Sequence, residues 1–233
     1  MRVLAVDVGG SHVKILVSGT GETSRRFDSG PTLTPEAMVA GVLELSQGWQ
    51  YAAIAIGYPG PVREGKPSAQ PHNLGAGWVG YDYEAALGRP VRITNDAAMQ
   101  ALGSYQGGRM LFLGLGTGLG SAMVVHGKLA PMELAHLPYR KKRTYEDYLG
   151  ERGFARLGLE KWRRHVGAVV ELFRAALEPD DIVLGGGNVH KLDELPSRVR
   201  RGDNDNAFLG GFRLWEREEP DRSRGKFRDP GAV

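Results

Sequence analysis

The chain has 233 residues, of which 41% are hydrophobic and 24% charged, and a formal net charge of +3. This composition excludes disorder as the dominant state and is enough for one large or two small domains, while so small a charge does not by itself imply a nucleic-acid partner. The lack of cysteine excludes disulfides, thiolate metal sites and a cysteine nucleophile, and it suits a reducing compartment, so a cytoplasmic location is expected.

Met1 to Val8 is apolar only briefly before Asp7 and a glycine pair, so it reads as a strand and not as a signal segment. No apolar run approaches the roughly 20 residues that span a bilayer, and no membrane association is expected. Val3 to Val8 and Val13 to Val17 flank Gly9-Gly10-Ser11 as a hairpin, with Glu22 to Phe27 as a third strand. A helix is predicted from Pro35 to about Ser46 and a buried strand over Ala52 to Ile56, broken by Gly57 to Pro61. Arg63 to Gly80 is rich in Gly, Pro and polar residues and reads as a loop, the kind of segment that carries ligand contacts on a rigid frame.

A short helix over Tyr83 to Leu87 leads into a strand, Val91 to Thr94, and a helix from Ala97 to about Ser104. Met110 to Leu115 and Ser121 to Val125 form a second strand, glycine turn and strand. The segments Leu4 to Val17 and Leu111 to Val125 therefore echo one another, either as two similar lobes or as two unrelated hairpins. Leu159 to Leu177 is a long amphipathic helix, followed by a strand over Asp181 to Leu184 and the turn Gly185-Gly186-Gly187. From Glu216 the chain is charged and dotted with Pro and Gly, and order is not expected there.

Three glycine turns after apolar strands are the main chemical signal, because glycine lets backbone N–H groups approach phosphate oxygens closely. None has the P-loop's Gly-Lys-Ser/Thr, and Gly116 to Gly120 is followed by a strand, which excludes a dinucleotide-binding turn. Asp7 ends the first strand, where a carboxylate either holds Mg²⁺, directly or through water, or caps the turn. Lys14, three residues past Ser11, faces the same site or water. Asn95 and Asp96 end a strand where a helix starts; Asp is a common helix cap, and it is also the group that orients an attacking hydroxyl and takes its proton in phosphoryl transfer to an alcohol.

Glu133 and His136 are spaced i, i+3, with Glu146 farther on; on a turned segment such a pair can converge on adjacent hydroxyls, while a lone His is also a common structural group. As a metal site the set is thin. The consecutive cations Arg140, Lys141, Lys142 and Arg143 read as a solvated loop or as a contact for a polyanion.

The ordered motifs "VDVGGSHVK" (Val6 to Lys14), "GYPGPV" (Gly57 to Val62), "HNLGAGW" (His72 to Trp78), "ITNDAAMQALG" (Ile93 to Gly103), "LGLGTGLGSAM" (Leu113 to Met123) and "LGGGN" (Leu184 to Asn188) resemble the ROK sugar kinases. Within that family they are most similar to the polyphosphate glucokinases. The resemblance implies an α/β, actin-like (ribonuclease H-like) fold of two lobes, 1–95 and 96–215, with the charged tail 216–233 beyond them. It implies phosphoryl transfer from polyphosphate or ATP, with Mg²⁺, to the 6-hydroxyl of glucose. Asp96 would be the base, and Asn95, Glu133, His136 and Glu146 would hold sugar hydroxyls. Asp7, Gly9, Gly10, Ser11, Lys14, Gly116, Thr117, Gly118, Gly185, Gly186 and Gly187 would line the donor site.

The family commonly forms dimers, so a homodimer is expected, with no nucleic-acid partner because the kinase-like strand begins at Arg2 without a helix-turn-helix before it. Two departures stand out: Ala135 where the family usually has glycine, and a short chain after Glu133. They leave open a kinase for another hexose or an acylated amino sugar, or a sugar-binding protein without turnover.

Overall fold

The structure, a computed structural model, describes residues 1–216. Strands β1 (Val3–Val8) and β2 (His12–Val17) pair antiparallel around the first glycine turn, and β3 (Arg25–Asp28) joins the outer edge of β2. Helix α1 (Pro35–Leu45) begins on Thr34, whose hydroxyl accepts the Ala37 N–H at 3.3 Å, with Pro35 where its missing N–H costs nothing. The buried β4 (Ala53–Tyr58) pairs parallel with β1 and runs two residues past the expected end at Ile56.

The segment expected to be loop carries a small hairpin, β5 (Val62–Arg63) with β6 (Lys66–Pro67). Helix α2 (Tyr83–Leu87) is capped by Asp82 and ended by Gly88 in the left-handed region, and β7 (Val91–Asn95) closes a sheet of order β3-β2-β1-β4-β7.

Helix α3 (Asp96–Ser104) leads into β8 (Arg109–Leu115), β9 (Leu119–Val125) and β10 (Lys128–Met132). Helices α4 (Glu146–Leu149), α5 (Glu151–Leu157) and α6 (Leu159–Leu177) follow, then β11 (Asp181–Gly185), β12 (Val199–Arg201) and α7 (Asn206–Arg213). The second sheet has the order β10-β9-β8-β11-β12, which repeats the first strand for strand: an antiparallel three-stranded meander followed by two parallel additions. The echo between Leu4–Val17 and Leu111–Val125 is thus an echo of lobes.

Alternation along β8 shows how the layers form. Leu111, Leu113 and Leu115 face a core with Trp162, Val166, Val169 and Val170 of α6, while Met110 and Phe112 face Ala98, Ala101 and Leu102 of α3. In the first sheet Val13 and Ile15 face Met38 and Val42 of α1. Helices α3 and α7 therefore lie between the two sheets, and α1 and α6 lie outside them.

Helix α7 returns to the first sheet. Arg213 donates to the Leu102, Gly103 and Tyr105 carbonyls at 2.7, 3.1 and 3.0 Å, and the Trp215 indole N–H donates to the Ile54 carbonyl at 3.0 Å. Among the described residues no helix is long and apolar enough to cross a membrane. The expectation of a disordered tail falls, beyond Glu216, outside the described residues.

Candidate active site

The first glycine turn lies at the C-terminal end of β1. It is closed by the Gly9 N–H donating to the His12 carbonyl at 2.9 Å, and braced by Ser29, whose hydroxyl donates to the Gly9 carbonyl at 2.6 Å and whose N–H donates to the Ser11 carbonyl at 2.9 Å. Asn73, from the "HNLGAGW" segment, packs against Gly10. Asp7 sits opposite Lys14 in the β1–β2 register, which places both on one sheet face. Asp7 keeps a little accessible surface, yet protein encloses it, and among the described residues its carboxylate accepts no hydrogen bond. Burial pushes this carboxyl up to about 6; Lys14 opposes the rise and Asp205 adds to it.

Asn95 and Asp96 divide the roles that the sequence left joined. Asn95 is the cap of α3: its carbonyl oxygen accepts the Ala98 N–H at 3.2 Å, and its amide donates to the Gly60 carbonyl at 3.1 Å. Asp96 is already helical and is free of the capping task, its only hydrogen bond among the described residues being from the Ala97 N–H at 2.7 Å. Burial, then the charge of Asp7, push Asp96 up to about 7; the backbone N–H groups of Ala97 and Asp96 oppose this, and Glu133 adds to it. The structure thus brings Asp7 and Asp96 within electrostatic reach of one another.

The second glycine turn closes on the same point from the other lobe. Gly120 lies so close to Ala97 that a Cβ there would come within 2.5 Å of the Ala97 methyl, which locks the start of α3 against β9. The third turn is stapled to the second by Asn188. Its N–H donates to the Leu115 carbonyl at 2.8 Å, and its amide donates to the Gly116 carbonyl at 3.1 Å and to Glu151 at 2.8 Å. Gly186 has φ +80°, and a Cβ there would lie 2.5 Å from the Leu115 carbonyl oxygen, so the approach of the two turns requires glycine. Beside the third turn opens a cavity of about 360 Å³ lined by Gly186, Gly187, His190, Arg201, Asp203 and Asn204.

Glu133 precedes and His136 ends a single 3₁₀ turn, Leu134–His136, and the two lie 3.6 Å apart with both side chains exposed. Ala135 is buried beneath them. Glu146 begins α4 and reaches the second glycine turn, where it accepts the Leu119 N–H at 3.4 Å and lies 3.4 Å from Arg152. The four cations form a tight turn: Arg143 N–H donates to the Arg140 carbonyl at 2.9 Å, Lys141 and Lys142 are left-handed, and Arg140 stacks over Tyr139.

Sequence reasoning assigned no role to Asn188, Glu151, Asn73 or Asp205. Only Asn188 and Asn73 carried a signal, as polar residues inside glycine motifs.

A cation beside Asp7 would offset the cost of burying its carboxylate, and among the described residues no three His, Cys, Asp or Glu side chains converge on a metal position. That donor set fits Mg²⁺, which keeps much of its water and accepts one carboxylate plus phosphate oxygens, and Asp7 is the residue that would hold it.

Two lobes of repeated topology with glycine turns facing across a cleft define the actin-like fold. The ROK family model matches residues 3–131, more than half of the chain, and the chain belongs to the ROK family. A polyphosphate glucokinase of Mycobacterium tuberculosis is 28% identical over 209 residues, covering 81% of this chain and 78% of that one. The bifunctional enzyme NanE/NanK of Brucella melitensis is 34% identical over 144 residues, covering 54% of this chain and 27% of that protein. Among solved structures, the inorganic polyphosphate/ATP-glucomannokinase of Arthrobacter sp. strain KM superposes with a TM-score of 0.77 at 23% identity, covering 90% of this chain and 96% of that one.

Proposed function

We propose that this chain is a hexose kinase that transfers a phosphoryl group from polyphosphate or ATP to the 6-hydroxyl of glucose. The observation that carries the reading is Asp96, an enclosed carboxylate at the start of α3 that lies within electrostatic reach of Asp7, next to Ala97, which packs against the second glycine turn. A base for an alcohol must be positioned, close to the donor phosphate and poised near the working pH. Enclosure and the neighbouring charge of Asp7 supply the last of these. Phosphoryl transfer otherwise rests on positioning and on stabilising charge over the phosphate oxygens, for which the backbone N–H groups of Gly9, Gly10, Ser11, Gly116, Thr117, Gly118 and the Gly185–Gly187 turn are suited.

In this reading Asn95, Glu133 and His136 hold the sugar, with Glu146 set between the sugar side and the second glycine turn. Asp96 takes the proton of the 6-hydroxyl as its oxygen attacks phosphorus. A bound Mg²⁺ would neutralise charge on the donor phosphates. The lobes are taken as 1–95 and 96–215, and a homodimer in the cytoplasm is the expected form. The glucose and polyphosphate assignment is supported by the name of the M. tuberculosis relative, and an acylated amino sugar is the second acceptor to test.

Asp96→Asn should lower kcat by about 10² to 10⁴-fold, the usual weight of a general base, while glucose affinity by calorimetry stays near that of the unaltered chain. Undiminished turnover in this variant would remove Asp96 from the chemistry.

A further inference from the structure

The first sheet presents a transverse row of charge that the reaction as described does not use in full. In the registers of β1, β2 and β3, Asp7 lies opposite Lys14 and Lys14 lies opposite Arg26, so all three project from one face. Helix α7 covers this face over β1 and β4, where Gly211 packs on Ala5 and Ala55, and leaves the β2–β3 part open.

Two cations directly opposite one another on neighbouring strands repel, and such a pair weakens a sheet unless something anionic lies between or above them. Arg26 is exposed, and among the described residues it makes no hydrogen bond or ion pair. Arg25, its neighbour on the opposite face, is anchored by a bond to the Leu45 carbonyl at 2.6 Å and by stacking on Trp49. Asp28, on the face of Arg26, is turned to His12 at 3.5 Å. Lys14 has Asp7 on one side, and among the described residues Arg26 has no anion of its own.

We propose that Lys14 and Arg26 form a subsite for the part of a linear phosphate chain that lies beyond the transferred group. The chain would leave Asp7 across β2 and β3, in a direction separate from the 360 Å³ cavity beside Gly186, which would be left for a nucleoside. The subsite rests on the donor-side reading of Asp7 given above. It selects a donor by length: a chain of several phosphates spans both cations, and a single phosphate touches one.

The test is calorimetric binding of pyrophosphate and tripolyphosphate, with steady-state KM for long-chain polyphosphate, on the full chain. Arg26→Ala, an exposed change with little consequence for folding, should weaken tripolyphosphate binding by about fivefold to tenfold, the loss of one charge-assisted contact. Pyrophosphate binding should change less, the polyphosphate KM should rise in parallel, and Arg26→Lys should restore part of the loss. Equal affinities of Arg26→Ala and the unaltered chain for both probes would overturn the subsite. So would a chain-length dependence lost only when Arg140, Lys141, Lys142 and Arg143 are neutralised together. If Arg26 governs tripolyphosphate binding but no donor supports sugar phosphorylation, the subsite stands and the kinase reading fails.

Discussion

Asp96 and Asp7 are held in the cleft with carboxyls pushed up to about 7 and about 6, and both shifts begin with burial. Under the proposed function Asp96 must be ionised to accept a proton, so kcat/KM should fall as pH drops below about 7, approaching tenfold per pH unit well below it. A rate profile flat between pH 5 and pH 8 would contradict this assignment of the base. The same shifts have a consequence for stability. Between the ordinary carboxylate value of 3.8 and these raised values, the folded chain binds more protons than the unfolded one. The two groups therefore favour folding fully at pH below about 4, and that advantage is lost as pH rises through about 7, by on the order of a few kcal/mol. Without Mg²⁺, the melting temperature of the unaltered chain should drop more between pH 5 and pH 8 than that of Asp96→Asn; identical drops would mean that Asp96 does not carry the shift.

At the scale of elements, α3 is the part that has to be placed, since it carries Asp96 into the cleft. It is held by crossing α7 at glycine contacts: a Cβ on Gly210 would collide with the Met99 carbonyl, and one on Gly103 with the Asn206 carbonyl. Backbone atoms cannot yield as a side chain does, so Gly210→Ala should cost about 1–3 kcal/mol or more in chemical unfolding. It should also lower turnover more than it lowers sugar binding; unchanged stability would mean that the two helices are free to separate.

Strands and helices with clear periodicity were legible in the sequence. Tyr83–Leu87 and Leu159–Leu177 have the predicted bounds, and β1, β2, β8 and β9 follow from apolar runs around glycine turns. The missed elements lack such a signal. The edge strand β10 contains Pro131 and only Leu129 and Met132 are partly buried, α4 is four residues long, and the glycines of α7 weaken a helical reading until their close contact with α3 is known.

At the scale of the whole molecule, the repeat of the two sheets explains why three glycine turns far apart in sequence face one cleft. That convergence was legible only through the ordered motifs, because no local pattern tells where Asp7 and Asp96 meet. Hydrogen-bond partners such as Asn188 to Gly116 and Glu151 depend on which strands become neighbours, and Glu146 shows the limit of spacing as a guide. Its distance along the chain from Glu133 says nothing of its reach to Leu119. The central claim is that this cleft phosphorylates a hexose. The most direct measurement is sugar-phosphate formation by the purified chain with glucose and Mg²⁺, offering polyphosphate and ATP in separate reactions and N-acetylmannosamine as a second acceptor. Glucose phosphorylation with polyphosphate is expected, with or without activity on ATP; absence of product from glucose with both donors would contradict the proposed function.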